Sequence, residues 1–343
     1  MDRGYLPLEH HYRLVKDRER EMRWDGKEDF KKWQERAKAK LRELLGLAEI
    51  EKFACPLEVE IEYDRYSEDL DCREIRFRYT TEENVTVPCH LCIPKDAKGT
   101  LPVMIALQGH STGMHISLGR PKYENDAKTI SGGDRDFVRR AVKEGVCAIA
   151  MEQRCFGECG EVGGTTNCEM TGLRAIMLGR TIIGERVWDI MRLIDLLERD
   201  FKNLVDTDKI ICLGNSGGGT ATAYASALEP RIKVSVPSCA VCRYGDSIAA
   251  MAHCACNYVP HIAKYFDMGE LCQMVAPRSL IVVSGVEDPI FPIAGAKACL
   301  DAARVAYDAA GVSDRVHHVI GGAGHRFYAD DTWPLLHGEI AKI

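Results

Sequence analysis

The sequence predicts an α/β protein: a mostly parallel central sheet, antiparallel strands leading into it, helices on both faces and a helical extension at the N-terminus. Three observations predict it. Continuous apolar runs recur at LPVMIALQGH (101–110), GVCAIAME (145–152), KIICLG (209–214), IKVSVPS (232–238) and RSLIVVSG (278–285), the pattern of strands buried on both faces. Helix-patterned segments separate these runs, and such alternation implies right-handed crossovers. Ahead of them, LEVEIEYDRY (from 57), CREIRFRYTT (from 72) and NVTVPCHLCIP (84–94) alternate apolar with polar, as antiparallel strands do.

Taken in order, residues 25–46 predict an amphipathic helix that opens on an Asp25-x-x-Glu28 capping box and closes on Gly46. Phe30, Trp33, Ala37, Leu41 and Leu44 share one face, and Glu28 is placed to pair with Lys32. Its charges are mixed in sign, which reads as a solvated outer face, with a subunit contact in a homo-oligomer as a further use. The chain therefore divides into a helical extension (1–56) and one main domain (57–343). Three connections exceed simple turns, at 109–133, 153–170 and 239–275, and are expected to form lid-like insertions at the carboxyl ends of strands.

Composition narrows the function. Hydrophobic residues make up 46% of the 343, ample for one large core. The formal charge of -6 gives no basic field, so neither nucleic acid nor an anionic membrane surface is an expected partner. The charged start MDRGYLPLEHHYRLVKDRERE lacks the apolar core of a secretion signal. Fifteen cysteines, scattered through apparent strands and helices, suit free thiols in a reducing cytoplasm. A small-molecule protein of the cytoplasm is expected.

The chemistry centres on IICLGNSGGGTATAYASAL (210–228). A dinucleotide fingerprint fails because Ser216 stands where glycine is needed, and a phosphate loop fails because Thr220 stands where lysine is needed. G-x-S-x-G fits: Gly214-Asn215-Ser216-Gly217-Gly218 follows a buried strand and precedes a helix. A nucleophile there projects from a sharp turn, and glycine at 214 and 218 removes the clashes. Gly217 brings its N–H, at the positive end of the helix, to where an oxyanion forms, and Gly219 lets the helix approach the sheet.

Serine needs a base and an orienting acid, in the order Ser, Asp or Glu, His. Asp288, in SGVEDPIFP after the strand 278–285, is the acid, with Glu287 its rival. His325, in the glycine-rich GGAGHRF after the apparent strand DRVHHVIG, is the base, whereas His317 and His318 lie within that strand and read as structural.

These residues resemble the α/β-hydrolase superfamily, and within it the acetyl xylan esterase-like and dienelactone hydrolase-like groups, over most of 70–330. Hydrolases of this type carry His-Gly-x after the first parallel strand; here Gln108 replaces the histidine, Gly109 follows, and the N–H of His110 is the second candidate oxyanion donor. EQRCFGE (152–158) is similar to the arginine-glycine loop of these esterases, so Arg154 and Glu158 are read either as residues that position loops or touch substrate, or as an exposed ion pair. GERVWDIMRLIDLLE (184–198) and APRSLIVVSGVEDPIFP (276–292) are similar to their helix and acid-bearing segments. The resemblance implies a serine carboxylic ester hydrolase acting on small acyl esters, a deacetylase of carbohydrate or plant-derived compounds, with neither metal nor organic cofactor. A prolyl-oligopeptidase-type peptidase shares the triad but needs a propeller domain for which the chain has no length; a non-catalytic binding member of the fold is the remaining alternative.

Cys239, Cys242, His253, Cys254, Cys256 and His261 form C-x-x-C followed by H-C-x-C, a zinc-like pattern. C-x-C crowds two ligands and the residues between the two pairs include an Ala-rich, helix-like piece, so these are read as buried thiols lining a lid or pocket; Cys155 and Cys159 flank the arginine loop and are read as lining the pocket. His115, Arg120 and Tyr123, in the 109–133 loop, are read as solvated loop residues, with contact to a sugar or aryl group as the alternative.

Overall fold

The computed structural model describes residue 4, residues 6–160 and residues 166–343. Its helices are α1 (Pro7–Asp17), α2 (Phe30–Leu45), α3 (Leu47–Glu51), α4 (Asp126–Gly133), α5 (Phe137–Lys143), α6 (Cys168–Met177), α7 (Ile182–Leu196), α8 (Gly217–Leu228), α9 (Ile262–Tyr265), α10 (Met268–Val275), α11 (Ile293–Ala309) and α12 (Ala329–Ile340). The strands are β1 (Val59–Ser67), β2 (Cys72–Glu82), β3 (Val85–Pro94), β4 (Leu101–Leu107), β5 (Cys147–Met151), β6 (Val205–Asn215), β7 (Ile232–Ser238), β8 (Ser279–Gly285) and β9 (Val316–Gly321). They form one nine-stranded sheet in the order β1-β2-β3-β5-β4-β6-β7-β8-β9 among the described residues. β1, β2 and β3 are antiparallel, β3 joins β5 antiparallel, and β4 to β9 run parallel.

The central strands are covered on both faces, which is why they read as unbroken apolar runs. On β4, Val103, Ile105 and Leu107 join one core, together with Trp33 of α2 and Val187 of α7. Met104 and Ala106 join the other, with Phe137 of α5 and Trp333 of α12. β1 departs from its alternating pattern: it lies at the sheet edge, its register slips between Ile61 and Tyr63, and Ile61 stays exposed. Glu58, Glu60, Glu62 and Arg65 charge that edge, a usual defence against edge-to-edge pairing.

α2 starts later than its capping-box reading. Asp29, not Asp25, is the N-cap, its carboxylate accepting from the Lys32 amide at 2.9 Å. Asp25 pairs with Lys27 instead, and Glu28 with Arg36 at 2.6 Å rather than Lys32. The C-cap is Gly46, at φ 73°, where glycine is the residue with least penalty. Trp33, Ala37 and Leu41 sink into the main core, and the Trp33 indole donates to the Met22 carbonyl at 2.9 Å. Of the 239–275 insertion, the last eight residues are α10, and residues 161–165 of the 153–170 insertion lie outside the described residues. No helix among the described residues is long and apolar enough to cross a membrane.

Position follows from topology. The strand order reverses at β4, with β5 on one side and β6 on the other, and open α/β sheets bind ligands outside the strand ends at such a switch point. Leu107, the last residue of β4, lies opposite Gly214 of β6, so the segments leaving both strands emerge side by side.

Because α2 shares the sheet's core, Trp33→Ala is expected to cost about 3–5 kcal/mol of global stability in urea denaturation. A cost under about 1 kcal/mol would mean that this helix is not part of the cooperative fold.

Candidate active site

Ser216 stands between β6 and α8 with φ 56° and ψ -123°, a left-handed backbone that a non-glycine residue sustains at a cost of about 1–3 kcal/mol. Its neighbours make the turn possible. A Cβ on Gly214 would lie 2.4 Å from the Gly218 carbonyl carbon, and one on Gly218 would lie 2.2 Å from the Leu107 oxygen. The Ser216 amide donates to the Ser238 carbonyl at 2.8 Å, and the Ser238 hydroxyl donates to Asn215 Oδ1 at 2.8 Å, which ties the elbow to β7. A Cβ on Gly219 would meet the Ser238 oxygen at 2.6 Å, so α8 does lie close to the sheet.

Asp288 and His325 come from the turns after β8 and β9. A Cβ on Gly285 would sit 2.1 Å from the Gly324 oxygen, so the two turns are in contact. Asp288 Oδ2 meets His325 Nδ1 at 2.8 Å, while Oδ1 accepts from the amides of Ile290 (2.8 Å) and Phe291 (3.1 Å). Burial raises the Asp288 pKa, but the His325 contact and those two amides outweigh it and hold the carboxyl below its ordinary value. The Phe291 ring stacks on the imidazole at 5.9 Å between centroids. With Nδ1 engaged, Nε2 is the ring nitrogen left to act as a base. Glu287, the rival acid, is exposed. His317 pairs with Glu339 at 2.8 Å and His318 meets Ser284 Oγ at 3.0 Å, so both are structural.

Ser216 and His325 line one cavity of about 350 Å³, together with His110, Arg135, His253 and Phe291. The loop after β4 closes its floor. A Cβ on Gly109 would lie 2.7 Å from the Asn215 oxygen and 2.8 Å from Ser216 Cβ, so only glycine lets the loop touch the elbow. The His110 ring packs over Gly217, where a Cβ would lie 3.1 Å from ring atoms. Gln108, 2% exposed, does not line the cavity: its amide donates to Ser117 Oγ and to the Arg135 carbonyl, each at 2.7 Å.

Arg135 was not singled out by the sequence. It is 8% exposed, donates to Gln108 Oε1 at 3.3 Å, and has no carboxylate within ion-pairing distance among the described residues. Burial pushes its pKa down to about 10.

Arg154 and Glu158 are placed elsewhere. Arg154 holds Asp189 of α7 through two bonds of 2.7 and 2.8 Å and also pairs with Glu82 at 2.6 Å. It ties the loop after β5 to α7 and does not line the cavity. Glu158 pairs with Arg76 at 2.6 Å. The buried hydrogen bond of His115 with Asp126 and the ion pair of Arg120 with Glu74 correct the reading of both as solvated, while Tyr123 is exposed. The cysteine-rich stretch divides: Cys239 donates to the Arg326 carbonyl and Cys242 to that of Pro292, whereas Cys254 and Cys256 turn toward Cys168 and His110. All fifteen cysteines are free.

Residues 16–320 match the profile of the Abhydrolase family. The chain belongs to the Abhydrolase family. A Bacillus subtilis (strain 168) protein provisionally named hydrolase YtaP is 26% identical over 246 residues, covering 69% of this chain and 77% of that protein. The 4-O-methyl-glucuronoyl methylesterase 1 of Wolfiporia cocos is 28% identical over 169 residues, 42% of this chain and 41% of that enzyme. Among solved structures, a Bacteroides fragilis protein provisionally named an acetyl xylan esterase superposes with a TM-score of 0.77 at 17% identity, over 93% of this family member and 84% of that chain. The shared fold is the α/β hydrolase, with its antiparallel strands leading into a parallel sheet as expected.

The depressed Asp288 pKa fixes a pH dependence. Its stabilising contribution is fully present above the unfolded value near 4 and is lost as pH falls through the lower folded value. The stability gap between wild type and Asp288→Asn, from urea denaturation, is expected to be widest near neutral pH and to narrow below about pH 4. A gap independent of pH would mean that the carboxylate is not held by these donors.

Proposed function

We propose that this chain is a cytoplasmic serine carboxylic ester hydrolase of carbohydrate or plant-derived esters, working through Ser216, His325 and Asp288. The observation that carries the reading is that a strained Ser216 and an Asp288-bound imidazole line the same cavity. A relative named a 4-O-methyl-glucuronoyl methylesterase and a structural neighbour provisionally named an acetyl xylan esterase support the substrate class, and fifteen free cysteines support a reducing compartment.

In this mechanism Ser216 Oγ attacks the ester carbonyl and passes its proton to His325 Nε2. Asp288 holds the Nδ1–H tautomer and stabilises the imidazolium that forms. The amides of Gly217, at the open N-terminus of α8, and His110 receive the oxyanion. His325 returns the proton to the leaving alcohol, the acyl group stays on Ser216, and a water activated by the same imidazole releases the acid. Arg135 orients the substrate. A buried guanidinium with spare donors favours an ester whose alcohol or acyl part carries hydroxyls or a carboxylate, as acetylated sugars and uronic acids do.

Ser216→Ala is expected to lower kcat on p-nitrophenyl acetate by at least about a thousandfold; undiminished turnover would refute the mechanism. On a panel of acetylated sugars and methyl uronates, Arg135→Gln is expected to lower kcat/KM by about 10- to 100-fold on the preferred polar ester and far less on p-nitrophenyl acetate. Equal losses on both would assign Arg135 to the fold and not to substrate.

A further inference from the structure

Three segments far apart in sequence bring four soft ligands to one point beside the cavity. His110 comes from the turn after β4, Cys168 from the first residue of α6, and Cys254 and Cys256 from the insertion after β7. Their ligand atoms all lie within 4.8 Å of one another. Cys256 Sγ is 3.3 Å from Cys254 Sγ and 3.4 Å from His110 Nε2, and Cys168 Sγ is 4.0 Å from the same nitrogen. A tetrahedral zinc with Zn–S near 2.3 Å and Zn–N near 2.0 Å places its ligand atoms roughly 3.5–3.8 Å apart, so small shifts bring the four into register.

A second observation points the same way. Arg186 of α7 is 1% exposed, and its guanidinium faces this cluster, 3.7 Å from Cys168 Sγ and 4.1 Å from the Phe156 ring centroid. It bonds the Arg154 carbonyl, but Nη1 has no partner and no carboxylate pairs with it among the described residues. A buried cation without a counter-charge is costly. Two charges on zinc against three on thiolates leave the centre with one net negative charge, which is the counter-ion Arg186 lacks.

We propose that His110 Nε2, Cys168, Cys254 and Cys256 bind one zinc ion. On binding, the three thiols release their protons to solvent and the imidazole coordinates as the neutral base. Four protein ligands close the coordination sphere, which makes the centre structural and gives it no Lewis-acid part in ester cleavage. It pins the turn that carries the His110 amide and the wall of the cavity that Cys254 lines. The sequence reading of these thiols as packing missed the centre because two of the ligands, His110 and Cys168, lie outside the cysteine-rich stretch.

Zinc content and cobalt spectra of the full chain, prepared with a thiol reductant, test the site without substrate, so failure here leaves the esterase reading intact. About one zinc per chain is expected to copurify. Zinc-stripped protein given Co2+ is expected to show the intense visible bands and thiolate-to-cobalt charge transfer of tetrahedral sulfur coordination. Cys168→Ser and Cys256→Ser are expected to lose the metal, and Cys55→Ser, remote from the cluster, to keep it. If the first two fail to fold, alkylation of the wild type decides: iodoacetamide is expected to modify Cys254, the part-exposed ligand that lines the cavity, rapidly in the stripped protein and slowly once zinc is added. No copurifying zinc, no cobalt bands and alkylation indifferent to zinc would overturn the proposal.

Discussion

A serine backbone held at φ 56° is the constraint around which the molecule is arranged. That conformation is unfavourable on its own, so its surroundings must enforce it. Three parallel strands do so. The Leu107 carbonyl of β4 and the Ser238 carbonyl of β7 flank the elbow of β6, and each approaches a glycine closely enough to forbid a side chain. The sheet's order reverses at β4, and the serine is presented at the carboxyl ends of the strands beside that switch point, where open α/β sheets site their ligands.

Charge is distributed round that point with the same economy. Asp288 is buried but fully occupied, by one imidazole and two amides. Arg135 and Arg186 are buried cations, and among the described residues neither pairs with a carboxylate. Under the proposed function a polar substrate would answer the first, and under the proposed metal site a zinc–thiolate centre would answer the second. His110 links the two halves: its backbone belongs to the floor of the cavity, its ring packs over Gly217, and its Nε2 faces the sulfurs. Arg154, by contrast, has three acid partners and serves to hold the loop after β5 against α7.

Much of this was legible in the sequence because its causes are local. Gly214, Ser216 and Gly218 report a tight turn by steric need alone, and apolar runs such as KIICLG report a strand covered on both sides. Asp288 and His325 were legible as candidates because each lies in a turn just after a strand of the parallel sheet. Arg135 gave no such signal: it sits in GGDRDF, a polar stretch indistinguishable from a surface loop until the fold buries it. Cys168 was equally silent, since its partners lie 58 and 86 to 88 residues away and no spacing rule joins them. Asp29 displaced Asp25 as the cap of α2 because two acids four residues apart offer equally good side chains, and the choice is made by where Trp24 and Trp33 pack.

The measurement closest to the central claim is a crystal structure of the chain after reaction with a small fluorophosphonate. One adduct is expected, on Ser216 Oγ, with its phosphoryl oxygen about 2.7–3.1 Å from the amides of Gly217 and His110 and His325 Nε2 within hydrogen-bond reach of the serine. A protein that stays unlabelled, or an adduct whose oxygen points away from both amides, would contradict it.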